Sequence, residues 1–314
     1  MQSLEKKNIV IFGGNGFLGN KIFHLFSKNK NNKVLAPTRN QINLTDQAST
    51  EEFIKAQPSY TLFINCAAVV GSVHSGMNRE SRIIDENTRL NLNIFTGLSG
   101  FNKHFSFINF LSNCIYPETV HTQIESQLYD GMPHHSARAY AHTKRHAMQM
   151  FNILAEKNNA SVHQLILPGL FGAGNHLEEE RLHAFDAIIV RMIKAKRNNK
   201  NIFEVYGTGS PIREWVPART VAEAVQMIDS SEKKGPEVLN FSIDFSESIW
   251  DTTLRIKRLL GYTGKIVQNT NYIDGAPIKI LDNKLFRNKY PEFHPAVDID
   301  AEVQSSINYY ENNL

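Results

Sequence analysis

Apolar residues recur along the first half of the chain in short unbroken runs, "NIVIFG", "KVLAP", "TLFINCAA" and "FSFINFLS", separated by stretches of helical periodicity. Runs of this kind are expected of strands covered on both faces, as in a parallel sheet whose crossovers are helices. The pattern predicts helices from Phe17, over about Arg82 to Gly100 and over about Ala137 to Lys157, with a strand "VHQLIL" running to Pro168. Six β units by Pro168 predict an α/β fold with a doubly wound parallel sheet of the Rossmann type. The rhythm then breaks into "GLFGAGNHLEEERLHAFDAIIVRMIKAKR" and "FEVYGTGSPIREW", and resumes with "VPARTVAEAVQMI" and "EVLNFS". Two interleaved domains are expected: residues 1–168 with about 214–245 as a dinucleotide-binding unit, and about 169–213 with 246–314 as a smaller C-terminal substrate unit.

Composition narrows the class. With 314 residues, 41% hydrophobic and 21% charged, the chain can bury a sizeable core. It shows no apolar run long enough for a membrane span and no secretory leader, so a cytoplasmic protein is expected. A net charge of +3, with its densest basic cluster "KAKRNNK" at a helix end, argues against a nucleic-acid partner and leaves a polyanionic small molecule as a candidate. Cys66 and Cys114 lack CxxC or Cys/His ligand spacing and are expected to be free thiols. His134 and His135 are adjacent, so their side chains should point apart, and no carboxylate cluster joins them; no metal is expected.

Two motifs carry chemistry. "GGNGFLG" places Gly13, Gly16 and Gly19 directly after a strand and at the start of a helix, with Asn15, Phe17 and Leu18 between them. In that setting backbone amides and a helix N-terminus can hold a pyrophosphate. After the second strand, "APTRNQINL" offers Arg39 and no acidic residue, which favours NADP(H) over NAD because a guanidinium can hold the 2′-phosphate. The second motif is "YAHTK": Tyr140 and Lys144 lie one helical turn apart, so Lys144 can lower the phenol's pKa while Tyr140 exchanges a proton with a carbonyl or carbinol oxygen. Ser112, at the end of its strand, can donate to the same oxygen.

Glycine loop, strand-end serine and YxxxK together resemble the extended short-chain dehydrogenase/reductase superfamily. "NCAAVVG", "SNCIYP", "YGTGSPIREW" and "DGAPIKILD" are similar, in that order, to segments of the GDP-L-fucose synthase family, over nearly the whole chain. That resemblance implies an NADPH-dependent 4-ketoreductase and 3,5-epimerase acting on a GDP-linked 4-keto-6-deoxy sugar, usually as a homodimer. Epimerisation at C3 and C5, both α to the ketone, needs a base and an acid on opposite faces of the ring. The resemblance puts Cys114 on one face and His183, eleven residues beyond Gly172, on the other. It also implies Arg191, Arg213 and Lys279 as cations for the diphosphate, Tyr206 in place of the family's tryptophan, Asn113 beside the sugar, and Ala67 and Pro168 beside the cofactor. The chain departs from the family at "DGMPHHSARAY", at "WVPARTV" and at Ile278, where an arginine is usual.

Two alternatives accompany this reading. A C4 reductase of a related GDP-4-keto sugar, such as a 6-deoxy-heptose or colitose precursor, would keep the same residues with one or neither epimerisation. A non-catalytic dinucleotide sensor would need the glycine loop but not the full set of Ser112, Tyr140 and Lys144.

Overall fold

The computed structural model describes residues 7–70, 79–158, 160–231 and 237–314; Gly71, the last residue of "NCAAVVG", lies outside them. Six strands build the large sheet: β1 (Lys7–Phe12), β2 (Asn32–Leu35), β3 (Thr61–Asn65), β4 (Phe105–Ser112), β6 (Ser161–Leu167) and β10 (Glu237–Asn240). Their spatial order is β2-β1-β3-β4-β6-β10, and every pairing is parallel. Five of these strands, not six, precede Pro168. The sixth place, at the sheet edge, is filled after a long excursion by β10, whose run "EVLN" pairs with His163 to Ile166. The short strand β5 (Thr122–Gln123), although early in the chain, belongs to a different sheet.

Strand periodicity assigns the core. In β1, Ile9 and Ile11 face α1 (Phe17–Ser27) and α6 (Ala218–Ser230), packing with Ile22, Phe26, Val221 and Val225. Val10 and Phe12 face the other way, toward Ile54, Ile94, Leu98 and Phe151. Those come from α2 (Gln47–Lys55), α3 (Glu80–Ser99) and α4 (Arg138–Asn158). The expected helices are therefore present within a few residues of their expected ends.

A second, five-stranded sheet is separate from the large one. It runs β11 (Ser246–Ser248), β9 (Ile212–Pro217), β13 (Ile278–Leu281), β5, with β7 (Gly169–Phe171) also pairing with β9. A separate parallel pair joins β8 (Ile202–Tyr206) to β12 (Lys265–Asn269). Three helices, α5 (Ala184–Arg197), α7 (Ile249–Leu260) and α9 (Ile299–Asn313), close a core around Phe185, Ile189, Trp215, Ile256 and Ile307. The short α8 (Lys284–Lys289) instead sends Phe286 into the core under the large sheet. The boundary expected at about residue 214 falls inside β9.

Polar side chains lace the middle of the large sheet. Asn65, Asn109 and Gln164 are in register on β3, β4 and β6. The Asn65 amide donates to Asn109 (3.1 Å), and that of Asn109 donates to Gln164 (2.9 Å). All three are buried. The free end of the ladder does work at the sheet's carboxyl edge, because the Asn65 oxygen accepts from the Ala67 amide at 3.1 Å. Truncating the middle member strands buried partners, which costs about 1–3 kcal/mol. Asn109→Ala should accordingly lower unfolding free energy by roughly that amount. Chemical denaturation of the two purified proteins measures it, and a difference under about 0.5 kcal/mol, the usual effect of a surface change, would contradict a stabilising ladder.

Candidate active site

Strand order reverses between β1 and β3, and the crevice there opens onto the glycine loop. Gly13 has φ +72°, and a Cβ on it would lie 2.7 Å from the Ala67 amide nitrogen. A Cβ on Gly19 would meet the Gly13 carbonyl at 2.3 Å, so α1 can sit against the loop only without a side chain there. Gly16 is less constrained: it caps α1, and its amide donates to Gly13 at 2.9 Å. Gly14, outside the expected spacing, is more demanding, since its Cβ would strike that of Ala36 at 2.5 Å. The doubled glycine was the available signal. The first turn of α1 carries no acidic residue and no side-chain cap, which leaves its amides and positive dipole end for an anion.

The neighbouring expected contacts divide. Asn15 is exposed at the loop tip, and Arg39 is exposed on the turn after β2. Phe17 reaches across to the Gly172 loop, its ring 3.6 Å from the position of a Cβ there. Leu18 is partly buried against the core, and Pro168 is buried between β6 and β7.

One wall collects the reactive side chains. At the end of β4, Ser112 caps a turn of 3-10 helix over Asn113–Ile115, its Oγ accepting from the Cys114 amide at 3.4 Å. Asn113 and Cys114 are buried. On α4, Lys144 is only 3% exposed, and its ammonium donates to the Phe110 carbonyl at 2.8 Å. The same nitrogen lies 5.6 Å from the centre of the Tyr140 ring. Burial lowers Lys144 to about 8, opposed by the Cys114 and Cys66 thiols. Burial pushes the Tyr140 phenol up, with Cys114 adding to it. The expectation that Lys144 lowers the phenol's pKa is thus not met in the protein alone, where the ammonium is engaged with a backbone carbonyl and desolvation dominates. Burial likewise raises Cys114, against the pull of Lys279, the Ser112 hydroxyl and Lys144. Both cysteines are free thiols, and Cys66 is raised by burial as well.

Lys279 ties this wall to the second sheet. It lies in register with Arg213 on the adjacent strand. Burial lowers Lys279, and the like charge of Arg213 adds to the effect. Arg213 is lowered by burial to about 10, opposed by Asp274. Arg191, on α5, stands apart from that pair: its guanidinium lies 3.6 Å from the centre of the Tyr206 ring and donates to the Glu204 carbonyl at 2.6 Å. Tyr206 is itself stacked on Tyr272, with centroids 3.9 Å apart. Tyr272 was not singled out in the sequence, since a lone aromatic in the loop "NTNYIDG" gives no spacing signal. That loop does join the two cationic places, because Asp274 beside Arg213 also accepts from the Thr208 amide and hydroxyl (3.0 and 2.6 Å).

His183 is exposed at the head of α5, as its N-cap residue. Three residues on, the buried Asp186 carboxylate accepts from the Gly172 amide (3.3 Å) and from Asn175 (2.8 Å), and burial raises it to about 7. This fixes the loop that precedes His183. Among the described residues no hydrogen bond connects His183 to Cys114.

The expectation for His134 and His135 is corrected in its geometry. Their rings do not point apart: the centroids are 4.3 Å apart, and the Glu118 carboxylate lies 3.7 Å from His134 Nε2. The cause is the 3-10 turn His135–Ala137, which His134 caps by accepting from the Ser136 amide on Nδ1. These are the one His/Cys/Asp/Glu group among the described residues close enough to share a metal ion. The expectation that no carboxylate joins the pair is thereby corrected too: Glu118 stands beside it, with Nδ1 of His134 taken by the Ser136 amide and Nε2 facing the carboxylate. Among the described residues, too, no helix is long and apolar enough to cross a membrane.

Known proteins resemble the chain in sequence and in fold. The chain is 24% identical to a GDP-L-fucose synthase of Dictyostelium discoideum, over 99% of this chain and 98% of that one. The crystal structure of a GDP-L-fucose synthetase from Naegleria fowleri bound to NADP superposes with a TM-score of 0.86 at 24% identity, covering 100% and 95% of the two chains. A GDP-6-OMe-4-keto-L-xylo-heptose reductase from C. jejuni gives 0.87 at 18% identity, covering 100% and 99%. The profile of one family spans residues 9–242, from β1 through β10, and the chain accordingly belongs to the NAD dependent epimerase/dehydratase family.

Proposed function

We propose that the protein is an NADPH-dependent C4 reductase of a GDP-linked 4-keto-6-deoxy sugar that also exchanges protons at C3 and C5. The observation that carries this is the convergence of Ser112, Tyr140 and Lys144 on the wall that also holds Cys114. The similarity to proteins named for GDP-fucose and GDP-heptose chemistry supports the choice of sugar nucleotide.

The residues divide the work as follows. Gly13, Gly14 and the first turn of α1 hold the pyrophosphate of the cofactor, Ala67 lines its crevice, and Arg39 takes the 2′-phosphate. When bound, NADPH supplies the hydride for C4. Ser112 and Tyr140 hold the ketone oxygen; because burial keeps the phenol protonated, Tyr140 is in the state needed to donate to the developing alkoxide. The Lys144 ammonium favours the tyrosinate left behind. Cys114 moves the proton α to the ketone, with Lys279 favouring its thiolate, and His183 serves the opposite face. Arg213 and Lys279 face the diphosphate, while Arg191 with Tyr206 and Tyr272 offers a flat cationic surface to the nucleoside. Reduction without epimerisation is the second reading, favoured by the likeness to a heptose reductase along the whole chain.

Purified protein should oxidise NADPH in the presence of GDP-4-keto-6-deoxy-mannose and place deuterium from labelled NADPH at C4. Tyr140→Phe should lose about 10²–10⁴-fold in kcat with little change in NADPH affinity. Cofactor binding without turnover would favour the sensor reading. Arg39→Ala should weaken NADPH binding by about tenfold or more and leave NADH binding nearly unchanged, as a lost charge-assisted contact does; equal effects on both cofactors would remove Arg39 from the 2′-phosphate.

Lys144 also predicts a pH dependence. Its folded value of about 8 lies below its ordinary 10.5, so between these values the unfolded chain binds more protons. The penalty for burying the ammonium is therefore full below about pH 8 and lifts as pH rises toward the ordinary lysine value. In the cofactor-free protein, the stability advantage of Lys144→Met over wild type should shrink across that window. Thermal melts of both proteins measure it, and a constant difference would contradict a buried, charged Lys144.

A further inference from the structure

His134 has no role in the reading above, yet it lines the same cleft as Cys114 and Lys279, together with Glu118, Tyr116 and Ile278. The residue is only 8% exposed. Its Nδ1 is committed inward: it accepts from the Ser136 amide at 3.2 Å and lies 2.8 Å from the Ser136 hydroxyl. A neutral imidazole whose Nδ1 accepts must carry its proton on Nε2. Neutrality is favoured by burial and by the positive charges of Lys279 and Arg213 together with the His135 ring; of the surrounding groups, Glu118 alone opposes it. The Nε2–H faces Glu118 at 3.7 Å, beyond a hydrogen bond. The cleft thus presents a fixed donor beside an exposed carboxylate acceptor, with a gap that one hydroxyl can bridge by accepting from the first and donating to the second.

We propose that His134 and Glu118 form a specificity pair that reads the hydroxyl on C3 of the sugar, the carbon next to the ketone on which Cys114 acts. This rests on the proposed function and names the substrate class of that site: sugars that keep the C3 hydroxyl are preferred over 3-deoxy ones. The pair is a positioning element. It orients the C3 carbon toward the Cys114 thiol and takes no proton from carbon itself.

The experiment compares GDP-4-keto-6-deoxy-mannose with its 3-deoxy analogue, using NADPH oxidation and wild type, His134→Asn and Glu118→Ala. Asparagine can still cap the Ser136 amide but is too short to present the donor, so the loop before Tyr140 is retained. Wild type should favour the hydroxylated sugar by about tenfold or more in kcat/KM, because a site built to bond a hydroxyl is left unpaired by its absence. Each variant should lose about tenfold on the hydroxylated sugar, chiefly in KM, and change less than about twofold on the deoxy sugar, the split expected of ground-state binding. Equal losses on both sugars would assign His134 a purely structural role and overturn the proposal, as would no loss on the hydroxylated one. Wild type that turns over neither sugar while binding NADPH would remove the proposed function and this pair with it; turnover without discrimination would remove the pair alone.

Discussion

A buried ammonium held by a strand carbonyl organises this molecule. Lys144 reaches from α4 to the Phe110 carbonyl, two residues before Ser112, at 2.8 Å. Burying that charge is costly, and the tether with its hydrogen bond is what makes the cost tolerable. Its geometric result is that α4 lies with Tyr140 over the end of β4, where the chain turns through Ser112, Asn113 and Cys114. Shifting the helix by one turn would leave the cation unpaired and move the phenol away from Cys114.

Around that tether the two sheets present opposite groups. Toward β1 and β3 the chain offers amides: a loop with no room for side chains at Gly13, Gly14 and Gly19, and a helix end without a competing acid. The amide ladder through Asn65 and Asn109 fixes Ala67, the wall of that crevice. Toward the second sheet the chain offers cations, Arg213 and Lys279 in register, both lowered by burial. Burial disfavours the charged form of both side chains, and in Lys279 the like charge of Arg213 adds to it.

Much of this was legible in the sequence. Unbroken apolar runs gave the parallel sheet, and the helical interval between Tyr140 and Lys144 placed both on one face of α4, since local periodicity is a property of a few neighbouring residues. What could not be read depends on contacts distant in sequence. The return of "EVLNFS" to the first unit was legible, but not its place as the sheet's sixth strand, because that pairing with β6 spans some seventy residues. Gly14 is required because Ala36 packs on it, and Tyr272 matters because Tyr206 stacks on it. The histidine pair misled for a local reason: alternation of side chains holds in strands, whereas the 3-10 turn capped by His134 brings the two rings together. The phenol's pKa was misjudged because burial, which no spacing rule reports, outweighs the nearby cation.

The central claim is that one short turn after β4 serves two reactions, Ser112 holding the ketone and Cys114 moving the proton beside it. Its most direct test is NMR of GDP-4-keto-6-deoxy-mannose incubated in deuterated water without NADPH, for wild type and Cys114→Ser. The account predicts deuterium at C3 and C5 with wild type and none with the variant, while the variant still reduces an already epimerised ketone once NADPH is added. Loss of both activities together, or exchange that survives the substitution, would contradict it.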